Sequence, residues 1–233
     1  MKNPKVLVGC PTSDYHAYCL DEYAQVIKNL TYDNYNVLLV DNSKDENYFK
    51  KIKSKGLKVI RGKYLGGARD RIIASRNMLR EIALKKGYDY LLSLEQDVIP
   101  PKDIIERMLG HNKKIICGVY FAHNVMLDNS IKLIPLVYTL TDKKTLTMNP
   151  LDESALWSNK LLRVISCGMG CVLIHKDVLK EITFRYNKTT RAHDDRWFCI
   201  DAYYKKFEMF CDTSIKCKHL IENRPWKWKD LQY

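Results

Sequence analysis

Four short apolar runs, separated by segments of helical size, constrain the fold of this chain more than any other feature. Residues 5–10 run into Pro11-Thr12-Ser13, residues 36–40 into Asp41-Asn42-Ser43, residues 57–61 form a third run, and residues 90–94 end in Glu95-Gln96-Asp97. Between the first two, apolar residues recur at Leu20, Ala24, Ile27 and Leu30, the spacing of a helix with one buried face over 18–30. A Lys-rich helix over 47–55 stops at Gly56, and Gly66-Gly67 opens a long helix over 68–86, closed by Gly87, with Ile72, Ser75, Leu79, Ile82 and Ala83 on its apolar side. Strands and helices alternating in this way require right-handed crossovers and hence a parallel, doubly wound sheet.

Beyond residue 100 the pattern predicts a helix over 102–109 and a strand over 114–120. Residues 131–140 and 162–166 read as strands with no comparable helix between them, which predicts a smaller antiparallel part. Residues 141–160 read as an irregular polar loop, a candidate acceptor-side loop or lid. A strand over 171–175, a helix over 194–206 and a strand over 208–215 complete the pattern. The expected fold is α/β, one domain over 1–233, with helices on both faces of a mostly parallel sheet.

Composition narrows the class. At 46% hydrophobic residues the chain is not disordered. Its longest apolar run, 115–122, is far short of the about 20 residues a bilayer crossing requires. The first residues lack the apolar region of a secretory signal, so a cytoplasmic location is expected. Eight cysteines without a Cys-x-x-Cys pair read as reduced core residues. The 39 Lys+Arg against 27 Asp+Glu leave a net charge of +12, which excludes an acidic polyanion mimic. Alone, that charge fits a solvated basic surface, nucleic acid, a membrane surface or phosphorylated small molecules.

In an open parallel sheet, ligands bind outside the carboxyl ends of the strands. Pro11-Thr12, Asp41 and Glu95-Gln96-Asp97 all fall on that edge. Two carboxylates one residue apart at a strand end suit Mg²⁺ or Mn²⁺, which bridge diphosphate oxygens; a solvated acidic turn is the alternative. Arg69, Arg71, Arg76 and Arg80 lie on or beside the helix after Gly66-Gly67, and arginine forks bind phosphate oxygens in pairs. Asp194-Asp195 opens a helix, where the pair can serve as base and orienting group or as N-cap and first-turn charge. His16, His123, Asp128 and His193 can line a pocket, but no spacing selects them.

The ordered set Val6-Leu7-Val8-Gly9-Cys10-Pro11-Thr12, Val40-Asp41-Asn42-Ser43, Arg76-Asn77 and Leu94-Glu95-Gln96-Asp97-Val98-Ile99-Pro100 resembles the nucleotide-sugar glycosyltransferases of the GT-A fold, family 2 type. Gly168-Met169-Gly170-Cys171, His193-Asp194-Asp195-Arg196-Trp197-Phe198 and Cys217-Lys218-His219 extend the resemblance over nearly the whole chain. It implies a nucleotide-binding half over 1–120 and an acceptor-binding half over 121–233. Pro11, Thr12 and Asp41 would then hold base and ribose, and Arg69, Arg71 and Arg76 with Glu95 and Gln96 would complete the donor site. Glu95 and Asp97 match the Asp-x-Asp positions, with Glu replacing the first Asp, and Asp97, Glu95 and His219 would be metal contacts. Asp195 would be the base, Asp194 would orient acceptor or loop, and Met169, Gly170 and His193 would lie on the acceptor side.

The implied activity is metal-dependent hexosyl transfer, with Mn²⁺ or Mg²⁺, from a UDP- or GDP-sugar to an acceptor hydroxyl with inversion. The acceptor would be a glycan, a lipid-linked molecule or a protein. A nucleotidyltransferase shares the sheet and carboxylates but usually carries a Gly-rich basic loop after its first strand, where this chain has Pro11-Thr12-Ser13-Asp14. A basic nucleic-acid-binding domain lacks support, since no zinc, helix-turn-helix or RNP-like pattern is present. Asn223-Arg224-Pro225-Trp226-Lys227-Trp228-Lys229 pairs indoles with cations and suits either packing on the domain or peripheral contact with an anionic inner membrane surface.

Overall fold

A computed structural model of the chain describes residues 3–125, 129–142, 144–145, 147–190, 192–221 and 224–225. Asp128, Asn223 and residues 226–229, named above, lie outside the described residues. The four apolar runs form β1 (Val6–Thr12), β2 (Tyr35–Asp41), β3 (Val59–Arg61) and β4 (Tyr90–Leu94). They are joined by α1 (Leu20–Lys28), α2 (Asn47–Ser54) and α3 (Ala68–Lys85). The long helix stops where expected: Gly87 adopts φ +67°, and the Tyr88 N–H closes the last turn onto Ala83 O at 2.9 Å.

The second part contributes β5 (Val98–Ile99), α4 (Ile104–Gly110), β6 (Ile115–Val119), β7 (Phe121–Val125), β8 (Ile131–Pro135), β9 (Val137–Asp142) and β10 (Thr147–Pro150). It continues with α5 (Glu153–Leu156), β11 (Leu161–Val164), β12 (Ser166–Cys167), β13 (Cys171–His175), α6 (Lys176–Glu181), α7 (Asp194–Tyr204), β14 (Met209–Lys216) and β15 (Lys218–His219). The central sheet has the order β11-β14-β6-β13-β4-β1-β2-β3. β1 to β4 are parallel, β6 and β14 are parallel to one another, and β13 runs antiparallel between β4 and β6.

Alternation along the strands divides the core. Val6, Val8 and Cys10 face a layer with Leu20, Tyr23, Ile27, Ile52 and Ile104, whereas Leu7 faces Leu79, Ala83, Val178 and Phe198. Helices thus cover both faces. All eight cysteines are buried and unbridged.

Two readings of the pattern change. The run 131–140 is two strands broken at Leu136, whose N–H bonds Tyr120 O and whose carbonyl accepts from Gly168 N. The stretch 141–160 carries β10, paired with β9, and the short α5, capped by Asp152 Oδ1 accepting from Ala155 N at 2.8 Å. Four-residue elements are too short to build a periodic signal.

Candidate active site

The carboxyl ends of β1 and β2 lie side by side, with Thr12 in register with Asp41 and Asp41 with Arg61. Thr12 is buried and donates to Gln96 Oε1 at 2.5 Å, Tyr48 donates to the same oxygen at 2.8 Å, and Gln96 Nε2 reaches His16 O at 2.7 Å. Gln96 therefore ties the loop after β1 to the loop after β4. Asp41 is fully buried: Oδ1 accepts from Ser43 N and Oγ, and Oδ2 pairs with Arg61, which also donates to Ser43 O at 2.7 Å. Pro11 is buried within β1 beside this edge.

Asp97 is only 1% exposed. The two-residue ribbon of β5 and β15, which pairs Val98 with His219, brings in a histidine from the far end of the chain, and Leu220 N donates to Asp97 O at 2.8 Å. His219 Nε2 stands 3.6 Å and His16 Nε2 3.9 Å from Asp97 Oδ2, and Tyr18 OH donates to it at 3.2 Å. Arg224 donates to the same oxygen through Nε at 3.1 Å and also through Nη2. Burial alone would raise the Asp97 carboxyl, but the surrounding partners, above all the permanently charged Arg224 that donates to it twice, outweigh it and hold the group well below the ordinary carboxylate range. Burial holds the His16 imidazole below its usual value against the pull of Asp97.

The His219 ring has an assignable tautomer. Nδ1 lies 2.6 Å from the Phe121 carbonyl, which can only accept, so Nδ1 carries the proton and Nε2 turns its lone pair toward Asp97. A carboxylate oxygen and an imidazole nitrogen so disposed are the atoms able to ligate a divalent cation. No group of three or more His, Cys, Asp or Glu side chains converges as a closed metal site among the described residues. Open sites of this kind suit Mg²⁺ and Mn²⁺, which take further ligands from phosphates and water.

Arg76, 3% exposed, bridges the two parts of the site. It donates to Ser93 Oγ at 2.6 Å and Glu95 Oε1 at 2.5 Å, and its Nε pairs with Asp194 Oδ2 at 2.6 Å. Burial alone would weaken its charge; Asp194 and Glu95 reverse that and raise its pKa. Glu95 is thereby drawn toward Arg76, and Asp97 is the member of the Glu-x-Asp pair that meets His219.

Asp194 and Asp195 open α7, where the helix dipole favours carboxylates. Asp195 is half-buried in a cavity of about 290 Å³ lined with Tyr138, Met148, Ser166, His193 and Arg196. Burial, then Asp194, pushes its carboxyl up to about 7, against the Arg196 N–H bond and the Arg76 charge. Burial lowers the His193 pKa, with Asp194 opposing. Met169 O accepts from Ser93 Oγ at 2.7 Å, and Gly170 N donates to Tyr120 OH at 2.9 Å. A Cβ at Gly168 would come within 2.1 Å of that hydroxyl and at Gly170 within 2.7 Å, so this turn requires glycine.

The other two arginines point elsewhere. Arg71 is buried, donating to Leu65 O and Gly66 O and lying over the Tyr64 ring. Arg69 crosses to the loop before α7, bonding Thr190 O at 2.9 Å over the Tyr186 ring. His123 sits exposed on β7. Sequence pattern does not select Tyr18 or Arg61, and Arg224 carried only a membrane or packing signal, although Arg61 at a strand end beside Asp41 was discoverable from the sheet-edge rule.

No family model matches the chain, and no curated protein matches it in sequence. Solved structures do. TarS 1–349 from S. aureus, in complex with UDP-GlcNAc, is similar with a TM-score of 0.57 at 14% identity, over 98% of this chain and 61% of that one. GalNAc-T7 with UDP, GalNAc and Mn²⁺ is similar with a TM-score of 0.57 at 12% identity, over 94% of this chain and 44% of that one. The chain thus spans less than two thirds of the length of both these neighbours. The likeness establishes the architecture: this is a GT-A fold.

Proposed function

We propose that the chain is a glycosyltransferase of the hexosyltransferase class that moves a sugar from a UDP- or GDP-sugar to an acceptor hydroxyl with inversion. The observation that carries this reading is the meeting of Asp97 and His219 Nε2 at the carboxyl edge of the sheet, with Asp195 in a cavity on the other side of the Arg76 bridge. Residues 1–120 would hold the nucleotide and residues 121–233 the acceptor. TarS and GalNAc-T7, which share the fold, are complexes with UDP-GlcNAc and with UDP, GalNAc and Mn²⁺ respectively.

In this mechanism Asp97 and His219 would hold Mn²⁺ or Mg²⁺. When bound, the ion offsets the negative charge that develops on the departing nucleoside diphosphate. Asp195, with a pKa near neutrality, accepts the proton of the acceptor hydroxyl as its oxygen bonds to the anomeric carbon and the bond from that carbon to the diphosphate oxygen breaks. Asp194 is held by Arg76 and keeps the start of α7 in place. Met169, Gly170 and His193 shape the acceptor side, while Thr12 and Gln96 set the loop that receives the base. Asp41 reaches the nucleotide through Arg61 in this reading, because its own oxygens are engaged.

A screen of nucleotide sugars for metal-dependent hydrolysis, with calorimetry of UDP and GDP with and without Mn²⁺, tests the proposal. Metal-dependent binding of one nucleotide is expected; absent binding beside salt-sensitive DNA binding would overturn it. No helix among the described residues is long and apolar enough to cross a membrane. Peripheral attachment at the inner membrane surface is tested by co-sedimentation with anionic vesicles.

A further inference from the structure

The atoms suited to a divalent cation already hold a positive charge. Arg224 Nη2 touches Asp97 Oδ2 and lies 2.8 Å from His219 Nε2, and these two ligand atoms are 3.6 Å apart. Ligands each about 2.1 Å from one metal stand roughly 3.0–3.6 Å from each other at ordinary coordination angles, so the pair has the right span. The arginine nitrogen sits in that span. A cation on Asp97 and His219 would meet the guanidinium well inside contact distance and with like charge.

We propose that Arg224 is the resident counter-charge of the Asp97–His219 site and that it competes with the divalent cation for the same two atoms. The proposal rests on the reading that these residues ligate metal. Its logic is electrostatic: a carboxylate 1% exposed needs a partner at all times, and Arg224 supplies one when no metal is bound. The lone pair of His219 Nε2 also receives a hydrogen bond from Arg224 instead of facing a buried void.

The ligands are anchored by backbone bonds that do not involve Arg224, which itself also donates to Tyr18 OH at 3.3 Å. His219 is anchored by its pairing with Val98, and Leu220 by its bonds to Asp97 O and Tyr18 OH. Arg224 lies five residues beyond His219; its backbone N–H reaches Ile221 O at 3.4 Å, and its side chain is 25% exposed. Once released, its planar fork matches a diphosphate. The exchange therefore couples metal arrival to the freeing of an arginine beside the donor phosphates.

The test is Mn²⁺ binding to the full chain, followed by electron paramagnetic resonance of the free ion, for the wild type, Arg224→Gln, Arg224→Lys and His219→Ala. If Arg224 closes the site in most molecules, the observed affinity is reduced by the open fraction, and Arg224→Gln should bind about tenfold more tightly, with Arg224→Lys between. Free guanidinium at a non-denaturing concentration should weaken Mn²⁺ binding to Arg224→Gln more than to wild type. Equal affinity in wild type and Arg224→Gln, with His219→Ala abolishing both, would overturn the competition while leaving the metal reading intact. No Mn²⁺ binding by any form, or binding that survives His219→Ala unchanged, would overturn both. Should Arg224→Gln fail to fold, the Arg224→Lys comparison carries the same decision.

Discussion

The carboxyl edge of the sheet and the cavity at the start of α7 treat their carboxylates in opposite ways. On the sheet edge each acid has a cation in contact: Asp41 has Arg61, Glu95 has Arg76, and Asp97 has Arg224. Asp195, in the cavity, has no ion pair among the described residues; its neighbours are Asp194 and the Arg196 N–H. Accordingly Asp97 is held far below the carboxylate range and Asp195 is pushed up to about 7. The first environment keeps charge constant for ligands, and the second leaves a proton free to move.

The contrast can be broken at its centre. Asp195→Asn should reduce transfer by about 10²–10⁴-fold while nucleotide binding, measured by calorimetry, stays near wild type. Turnover within a few fold of wild type would refute the base assignment. Arg76→Met strips the counter-charge from Glu95 and Asp194 together, and urea denaturation should register a loss of about 3–5 kcal/mol. A loss near zero would mean that the bridge is dispensable and the two environments are independent.

A pH series sharpens the same comparison. In the proposed mechanism transfer needs the ionised form of Asp195, so kcat/KM should rise with pH through about 7 and level off above it. Stability moves the other way. The folded-state value lies above the unfolded one, so between about pH 4 and 7 the folded protein binds more protons and Asp195 contributes falling stability as pH rises. Asp195→Asn should therefore melt higher than wild type at pH 8 and equally at pH 4, and a higher melting point at both would point to packing instead. The smallest effect belongs to Arg69→Ala. Its exposed bond to Thr190 and its contact with Tyr186 predict a change below about 1 kcal/mol in the same denaturation assay.

How much was legible can be judged residue by residue. Thr12, Asp41 and Asp97 were found because polar residues that stop apolar runs must lie at strand ends, and parallel strands put those ends on one edge. Arg76 was placed with the diphosphate arginines because its helix begins at that edge. The structure turns it inward instead, onto Ser93, Glu95 and Asp194, contacts that no local spacing encodes. His219 was recognised through a motif, yet its tautomer depends on Phe121, and Arg224 looked like part of a basic segment.

By itself the sequence determined the longer elements, the carboxyl edge of the sheet and the residue types on it, because hydrophobic period and turn chemistry act over a few residues. Tertiary structure alone decided which charges meet. The insertion of the antiparallel β13 between β4 and β6, the Val98–His219 ribbon and the Arg76 and Arg224 pairs join positions that are remote in the chain. Their energies depend on burial and mutual distance, and those exist only once the sheet has closed.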